Sequence, residues 1–111
     1  VNKDTRLPMM FMDDAIRATL ELMDAPLESL NYHSNYNLSS MSFSAEELEN
    51  EINSHVKFDC TYKPDYRQDI ADTWPISISD DDARRDWGWK PKFDISKMTE
   101  EMITSLRRLN E

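Results

Sequence analysis

The chain has 111 residues, a formal net charge of −9 and one cysteine. This length suits a single domain or subdomain, and one cysteine excludes an internal disulfide, so a reducing compartment is expected. Thirteen basic residues lie scattered among twenty-two acidic ones, which argues against a nucleic-acid partner because phosphates need clustered Lys and Arg. No apolar run approaches the ~20 residues of a membrane span. The sequence predicts a soluble protein with no membrane partner.

Glycine is the most informative count. The chain has one, Gly88, where average usage is about 7%. Loops that cradle the phosphates of nucleotides and dinucleotides need several glycines to bring backbone amides close to the ligand. The chain is therefore not expected to bind a dinucleotide through such a loop.

The first predicted elements are a strand and a helix. The apolar run Met9 to Met12 predicts a buried strand, and Asp13 is suited to cap the helix that follows. Pro26 cannot continue a helix and is expected to end it after Ala25. The inward face of this helix is predicted from apolar residues at helical spacing, which are Ile16, Leu20 and Met23.

The middle of the chain predicts strand, helix and strand. Tyr32 to Leu38 is the first of these strands. Ser44 and Glu47 form a capping-box pattern, which predicts a helix start, and that helix should end near His55. From Val56 to Tyr62 apolar and polar residues alternate, the pattern of a half-buried strand.

Short elements are predicted next. Asp65 to Asp72 should make one or two helical turns, and Pro75 to Ile78 should be extended. Ser79 is expected to cap a helix whose first turn holds Asp80 to Asp82, where acids complement the helix dipole.

Two helix boundaries are predicted near the end of the chain. Gly88 should end the helix in a left-handed conformation, with Trp89 folded back on Ala83. Asp94 should cap the last helix. The inward face of that helix is predicted as Ile95, Met98, Met102, Leu106 and Leu109.

Metal and nucleophile chemistry find little support. Zinc sites use paired ligands at short spacings, whereas His33, His55 and Cys60 are single residues, so His55 is read as a helix-end residue and Cys60 as packing. Asp80 to Asp82 lacks the Gly and Glu of a calcium loop. No tyrosine is followed four residues later by lysine, so the acid–base pair of short-chain dehydrogenases is missing.

Three blocks resemble the C-terminal part of short-chain-type L-threonine 3-dehydrogenases, a branch of the extended short-chain dehydrogenases. They are Asp4 to Thr19 (DTRLPMMFMDDAIRAT), Arg67 to Pro75 (RQDIADTWP) and Ala83 to Trp89 (ARRDWGW). The resemblance implies a small α/β C-terminal subdomain of a Rossmann-type fold whose Rossmann half is absent. Residues 1–111 would form one substrate-binding subdomain, with residues 1–8 as the incoming connection.

The same resemblance implies an activity. The family oxidises L-threonine to 2-amino-3-oxobutanoate with NAD, which the missing N-terminal half would bind together with the Tyr/Lys pair. The chain is therefore expected to hold no catalytic or cofactor residue and to be inactive alone. A homodimer through the missing half is implied, in the mitochondrial matrix of a eukaryote or otherwise in the cytoplasm.

Five residues are expected at the substrate. Arg6, Pro8 and Met9 would lie beside the bound amino acid, Arg67 would tie down the lid, and Trp74 would close over the substrate and exclude water. Ion pairing is the competing interpretation for the two arginines, and core packing for Trp74.

Separation from the other half has its own expectation, an exposed apolar patch among Met9, Phe11 and Trp74. Two alternative functions remain open. One is the equivalent subdomain of a nucleotide-sugar epimerase or dehydratase. The other is a non-enzymatic acidic interaction module.

Overall fold

A computed structural model describes residues 1–111 as a mixed α/β structure. Strands β1 (Arg6–Met9) and β2 (Met41–Ser44) pair antiparallel, with Arg6 opposite Ser44 and Met9 opposite Met41. None of the helices combines the length and apolar character needed to cross a bilayer. The helices are α1 (Met12–Asp24), α2 (Ala45–Asn53), α3 (Arg67–Asp72), α4 (Asp81–Trp87) and α5 (Ile95–Leu109), with a short 3-10 turn at Leu27–Ser29.

The molecule is a thin slab of 50 × 39 × 18 Å. Its radius of gyration is 16.8 Å, whereas a compact domain of this size would have about 13 Å. Only 11 of the 111 residues are buried. A slab this thin has room for little more than one layer of helices, so most helices have one uncovered side.

The core is centred on Trp89, which packs fully buried against Ala18 and Ala83. Its indole Nε1 donates to the carbonyl oxygen of Ser39 at 3.0 Å. The guanidinium of Arg17 lies 4.7 Å from the ring centroid, a cation–π distance. One tryptophan thus joins α1, α4 and the segment before β2.

Three helix ends predicted from local sequence are confirmed. Ser44 and Glu47 make both hydrogen bonds of the capping box, and Asp94 accepts from the amide of Lys97 at 2.8 Å. Gly88 has φ 73°, the left-handed conformation that glycine adopts without steric cost. The amide of Trp89 donates to the carbonyl of Ala83 at 3.4 Å, as predicted.

Two other local predictions also hold. α1 stops at Asp24, with Ala25 as its C-cap before Pro26. The helical turns expected from Asp65 to Asp72 are α3. The extended conformation predicted for Pro75 to Ile78 is not confirmed, because the stretch forms no strand and bends at Ile76.

The strand predicted at Met9 to Met12 is wrong in position. Strand β1 covers Arg6–Met9 because its pairing with β2 fixes its limits, so Arg6 to Pro8 are strand, not a plain incoming connection. α1 begins at Met12 with Phe11 as its N-cap, and no side chain caps it. The predicted cap, Asp13, lies in the first turn.

The strands predicted over Tyr32 to Leu38 and Val56 to Tyr62 are wrong. Neither segment has a neighbouring strand to complete a hydrogen-bond ladder, and a single strand cannot satisfy its own backbone groups. Tyr36 instead donates its hydroxyl to Asp86 at 2.7 Å. Phe58 and Cys60 are exposed, so their alternation with polar residues reflects no buried face.

The predicted cap of α4 is also wrong. Asp80, not Ser79, is the N-cap, and it makes no side-chain capping bond. Its carboxylate accepts instead from Arg84 Nε at 2.7 Å. Ion pairing one turn along the helix has taken the place of capping here.

The inward faces predicted for α1 and α5 are only partly packed. On α1 the buried residues are Asp14 and Ala18, while Ile16, Leu20 and Met23 are exposed. On α5 the exposed members are Met102, Leu106 and Leu109. Helical spacing identified the apolar stripes correctly, but it contains no information on whether another element covers them.

Candidate substrate-side site

The candidate site is built on the strand edge, by which we mean β1, β2 and the segment Trp74–Ile78. The hydroxyl of Ser42 in β2 donates to the carbonyl of Ile76, which holds the segment against the strands. A small cleft of ≈ 110 Å³ opens there. Its lining comes from β1 and from both neighbouring segments: Pro8, Met9, Met10, Leu38, Ser39, Ser40 and Ile78.

Two of the five predicted residues, Pro8 and Met9, line this cleft. Pro8 has no amide hydrogen to donate, which a strand in a two-stranded sheet tolerates. Met9 is 43% exposed and offers a flexible apolar wall. Ile78 and Ser40 were not predicted from sequence. The only signal for Ile78 was its alternation with Ile76 in an extended stretch.

The side chain of Arg6 bonds to residues of β2 and α2. Its Nη1 donates to the carbonyl of Ser42 at 2.7 Å, and its Nη2 pairs with the carboxylate of Glu47. The hydrogen bond from Arg6, followed by that from the Ser44 amide, lowers the pKa of Glu47. Because Glu47 is also the capping-box residue, Arg6 ties β1 to the start of α2.

Arg67 lies at the start of α3 with its side chain 71% exposed. Its Nε donates to one carboxylate oxygen of Asp65 at 3.0 Å and its Nη2 donates to the other at 2.6 Å, which makes a bidentate pair. Those hydrogen bonds lower the pKa of Asp65 to about 2. Arg67 is not among the residues that line the cleft.

Trp74 follows α3 and is 56% exposed. Its amide donates to the carbonyl of Ala71 at 3.1 Å, which fixes the backbone while the ring stays uncovered. Of the three residues expected to form an exposed apolar patch, Met9 and Trp74 are individually exposed and Phe11 is half-buried. Phe11 is less exposed because it packs on Phe93 with ring centroids 4.5 Å apart.

Gln68 was not recognised from the sequence. It is buried, and its amide group accepts from the amide of Asn2 at 2.7 Å and donates to Thr5 and Asp72 at 2.8 and 2.7 Å. These bonds hold α3 against the start of the chain. Gln68 also lines an open cavity of ≈ 430 Å³ whose lining residues are mostly polar.

A second polar group lies near that cavity. Tyr62, which lines it, donates its hydroxyl to Glu49, and this bond is the main cause that raises the pKa of Tyr62. The phenol is therefore held neutral and is not suited to act as a general base.

Residues that could bind a metal ion are scattered in this structure. The side chains of His, Cys, Asp and Glu form no group of three suited to hold a metal ion. His55 contacts Glu51 at 3.2 Å, and Cys60 is exposed in a loop. Gly88 ends α4, so the single glycine is used in a helix terminus and not in a phosphate loop.

The fold is that of the C-terminal portion of extended, GalE-like short-chain dehydrogenases. No protein-family profile matches the chain, but solved structures do. A monomeric L-threonine 3-dehydrogenase from a metagenome (apo form) is 88% identical with a TM-score of 0.95, and the match covers 100% of this chain and 36% of that one. A GalE-like L-threonine dehydrogenase from Cupriavidus necator (holo form) is 46% identical with a TM-score of 0.92, over 96% of this chain and 35% of that one.

Curated relatives include a threonine dehydrogenase and an epimerase/dehydratase. Mitochondrial L-threonine 3-dehydrogenase of Bos taurus is 52% identical over 102 residues, which are 90% of this chain and 27% of the relative. An uncharacterized epimerase/dehydratase of Staphylococcus haemolyticus is 44% identical over 108 residues, 96% of this chain and 34% of that protein. The chain corresponds to the C-terminal portion of L-threonine 3-dehydrogenases, and it spans about a third of their length.

Proposed function

We propose that residues 1–111 act as the substrate-binding subdomain of an NAD-dependent L-threonine 3-dehydrogenase. NAD and the proton-transferring Tyr/Lys pair belong, in this proposal, to an upstream dinucleotide-binding portion. The chain would then bind and enclose L-threonine without carrying out hydride transfer, and it would be inactive alone. The observation that carries the proposal is the strand edge, where Pro8 and Met9 of β1 line a small, mainly apolar cleft with Ile78, four residues after the exposed Trp74.

The strand edge suits a small amino acid better than a large ligand. The cleft is small and mainly apolar, with Ser39 and Ser40 among its lining residues. Trp74 is more than half exposed, although a buried indole would contribute far more to stability. We propose that it closes over bound threonine and removes water from the reacting carbon, which strengthens electrostatic interactions there.

The contacts of the two predicted arginines do not fit direct binding of the substrate. Arg6 is committed to Glu47 and to the Ser42 carbonyl, so we propose that it positions β1 beside the substrate. Arg67 is held by Asp65. In related sugar-nucleotide enzymes an arginine in this region holds a diphosphate. An arginine that is already paired with a carboxylate, as Arg67 is, favours a ligand that carries no diphosphate.

The experiment uses a joined protein, in which this chain replaces the matching C-terminal portion of the 88% identical metagenome enzyme. We expect it to reduce NAD with L-threonine, while the chain alone produces no NADH. Turnover of UDP-sugars with none of L-threonine would overturn the proposal in favour of the epimerase/dehydratase alternative. A folded, NAD-binding joined protein that acts on neither would support the interaction module.

Trp74 is tested in the same protein. Trp74→Ala should lower kcat/KM for L-threonine about tenfold, the scale expected from a lost apolar contact with substrate, and leave the KM for NAD unchanged. Tyr66→Ala is the matched control, since Tyr66 is also an exposed aromatic, at 76%, but lies before α3. Unchanged constants for Trp74→Ala would remove Trp74 from the site.

Assembly and compartment belong to the same proposal. The homodimer implied by family resemblance competes with the monomeric state given for the 88% identical enzyme, and light scattering of the joined protein distinguishes the two. The mammalian relatives are mitochondrial. We propose the matrix for a eukaryotic source and the cytoplasm for a bacterial one.

A further inference from the structure

Helix α3 offers few side chains that can fix its place in the fold. Of its six residues only Gln68 and Ala71 are buried, while Arg67 and Ile70 face solvent. A helix this short is not stable by its own backbone bonds, because nucleation of a helix is costly. The position of α3 therefore depends on the two side chains that it buries.

The side-chain amide of Gln68 joins segments that are far apart in the chain. Its Oε1 accepts from the backbone amide of Asn2 at 2.7 Å. Its Nε2 donates to the hydroxyl of Thr5 at 2.8 Å and to the carboxylate of Asp72 at 2.7 Å. Both N–H donors and the carbonyl oxygen are thus in use. Because Gln68 is 9% exposed, loss of the amide would leave partners that water reaches poorly, at a cost in free energy.

These bonds connect two parts of the candidate site. Thr5 is followed directly by Arg6, the first residue of β1. Asp72 is the last residue of α3 and comes two residues before Trp74. Gln68 therefore links the entrance of the strand that lines the cleft to the segment that begins at Trp74.

The backbone around Trp74 is held on both sides, while its side chain is 56% exposed. Before it, Gln68 bonds to Asp72. After it, the carbonyl of Ile76 accepts from the hydroxyl of Ser42 in β2. The Ser42 bond is exposed, whereas Gln68 is buried. Bonds shielded from water contribute more to holding a structure, so Gln68 is the firmer of the two attachments.

We propose that Gln68 is a positioning residue for the substrate, which sets where Trp74 stands relative to β1 without touching the substrate itself. The inference rests on the proposed function, in which Trp74 closes over L-threonine. A residue remote from the reacting carbon can act in this way because a small displacement of a positioned group lowers the rate strongly.

The position of Trp74 is tested first without reference to activity. The joined protein is labelled with fluorotryptophan, and the fluorine signal of Trp74 is the one lost in Trp74→Phe. Gln68→Met keeps an unbranched side chain and removes the amide. It should shift or broaden the Trp74 signal and leave the other tryptophan signals in place. An unchanged Trp74 signal overturns the proposal, whatever the activity. If Gln68→Met does not fold, Thr5→Val, which removes one of the three bonds, replaces it.

Activity then shows whether the position of Trp74 matters to the substrate. Gln68→Met should lower kcat/KM for L-threonine about fivefold, because a misaligned tryptophan loses part of its contact with the substrate, and should leave the KM for NAD unchanged. Asn31→Leu is the matched control. The Asn31 side-chain amide donates to the carboxylate of Asp86 at 2.9 Å, so this variant also loses a long-range amide–carboxylate bond, but one that does not involve α3. It should change neither constant.

A double-variant cycle separates positioning from a general loss of structure. If Gln68 acts through Trp74, adding Gln68→Met to Trp74→Ala should cost nothing further, and the double variant should stay at the roughly tenfold loss expected of Trp74→Ala alone. Losses that multiply to about fiftyfold overturn the proposal, because independent sites add in free energy.

The outcomes also distinguish this inference from the proposed function. A shifted Trp74 signal in a joined protein that does not oxidise L-threonine supports the link between Gln68 and Trp74 and contradicts the proposed function. Oxidation of L-threonine with equal losses for Gln68→Met and Asn31→Leu supports the proposed function and overturns the positioning role.

Discussion

Two tryptophans in this chain meet opposite environments. Trp89 is fully buried, its indole N–H is bonded to Ser39, and Arg17 stacks on its ring. Trp74 is 56% exposed, and only its backbone amide is held in the structure. The same side chain therefore serves as the centre of the core in one region and as an uncovered surface in the other.

The difference separates stability from proposed function. Around Trp89 the buried carboxylates of Asp14 and Asp86 each accept several hydrogen bonds, while the buried indole N–H of Trp87 has no partner. Around Trp74 few interactions hold the chain, and apolar side chains face solvent. Substitutions near Trp89 should therefore change unfolding, and substitutions near Trp74 should change catalysis in a complete enzyme.

The largest effect is expected from Trp89→Ala. It should lower the free energy of unfolding by about 3–5 kcal/mol, because it removes a large buried side chain and leaves a cavity. Urea unfolding of the joined protein, followed by circular dichroism, measures it. Trp74→Ala should stay within about 0.5 kcal/mol, as is usual for exposed positions. Equal losses would contradict the division into two regions.

Asp14→Asn should follow, with a loss of about 2 kcal/mol. An amide nitrogen in place of a carboxylate oxygen faces the Lys92 and Phe93 amides with a donor, so buried hydrogen bonds to a charged group are lost. The neighbouring Asp13→Asn is the control, because Asp13 is exposed. A matching loss at Asp13 would indicate that overall charge, and not the buried bonds, is responsible.

The smallest effect should appear only in acid. The hydrogen bond from Tyr36, together with those from Asn31 and Arg85, lowers the pKa of Asp86 to about 2 from an ordinary 3.8. A carboxyl group whose pKa is lower in the folded state stabilises the fold at pH values above its unfolded-state pKa. That stabilisation is lost as the pH falls through the folded-state pKa. Stability should therefore decline between about pH 4 and pH 2, and Asp86→Asn should flatten that decline.

Asp65→Asn is the control for the acid measurement. Asp65 has a similarly lowered pKa of about 2, but its side chain is 43% exposed, and solvent screens such pairs. In the Asp65→Asn variant, the decline in stability at acid pH should stay close to that of the unsubstituted protein. A steeper change at Asp65 than at Asp86 would show that burial is not what couples the fold to pH.

Predictions from sequence succeeded where the signal was local. The Ser44–Glu47 capping box, the Asp94 cap and the Gly88 terminus each depend on a few neighbouring residues. The strands failed because a strand needs a partner elsewhere in the chain. Alternation at Val56 to Tyr62 was real in the sequence, but no strand lies beside it.

The candidate site was predicted in the same uneven way. Pro8 and Met9 line a cleft that Trp74 does not line, and Trp74 is exposed, so the substrate-binding role of these residues stays a prediction. The partners of Arg6 and Arg67 could not be read from the sequence, since both arginines had several acids within reach. The Glu47 pairing needs β1 and α2 to meet, and that contact joins residues 41 positions apart.

By itself the sequence determined the helix ends at Ser44, Gly88 and Asp94, the apolar stripes and the lack of a glycine-rich phosphate loop, because each depends on residue type and short spacing. The three sequence blocks also carried the resemblance to threonine dehydrogenases that the solved structures match. Tertiary structure alone decided which stripes are covered, which carboxylates are paired and which tryptophan forms the core. Those outcomes depend on which distant segments pack together, and local spacing contains no record of that.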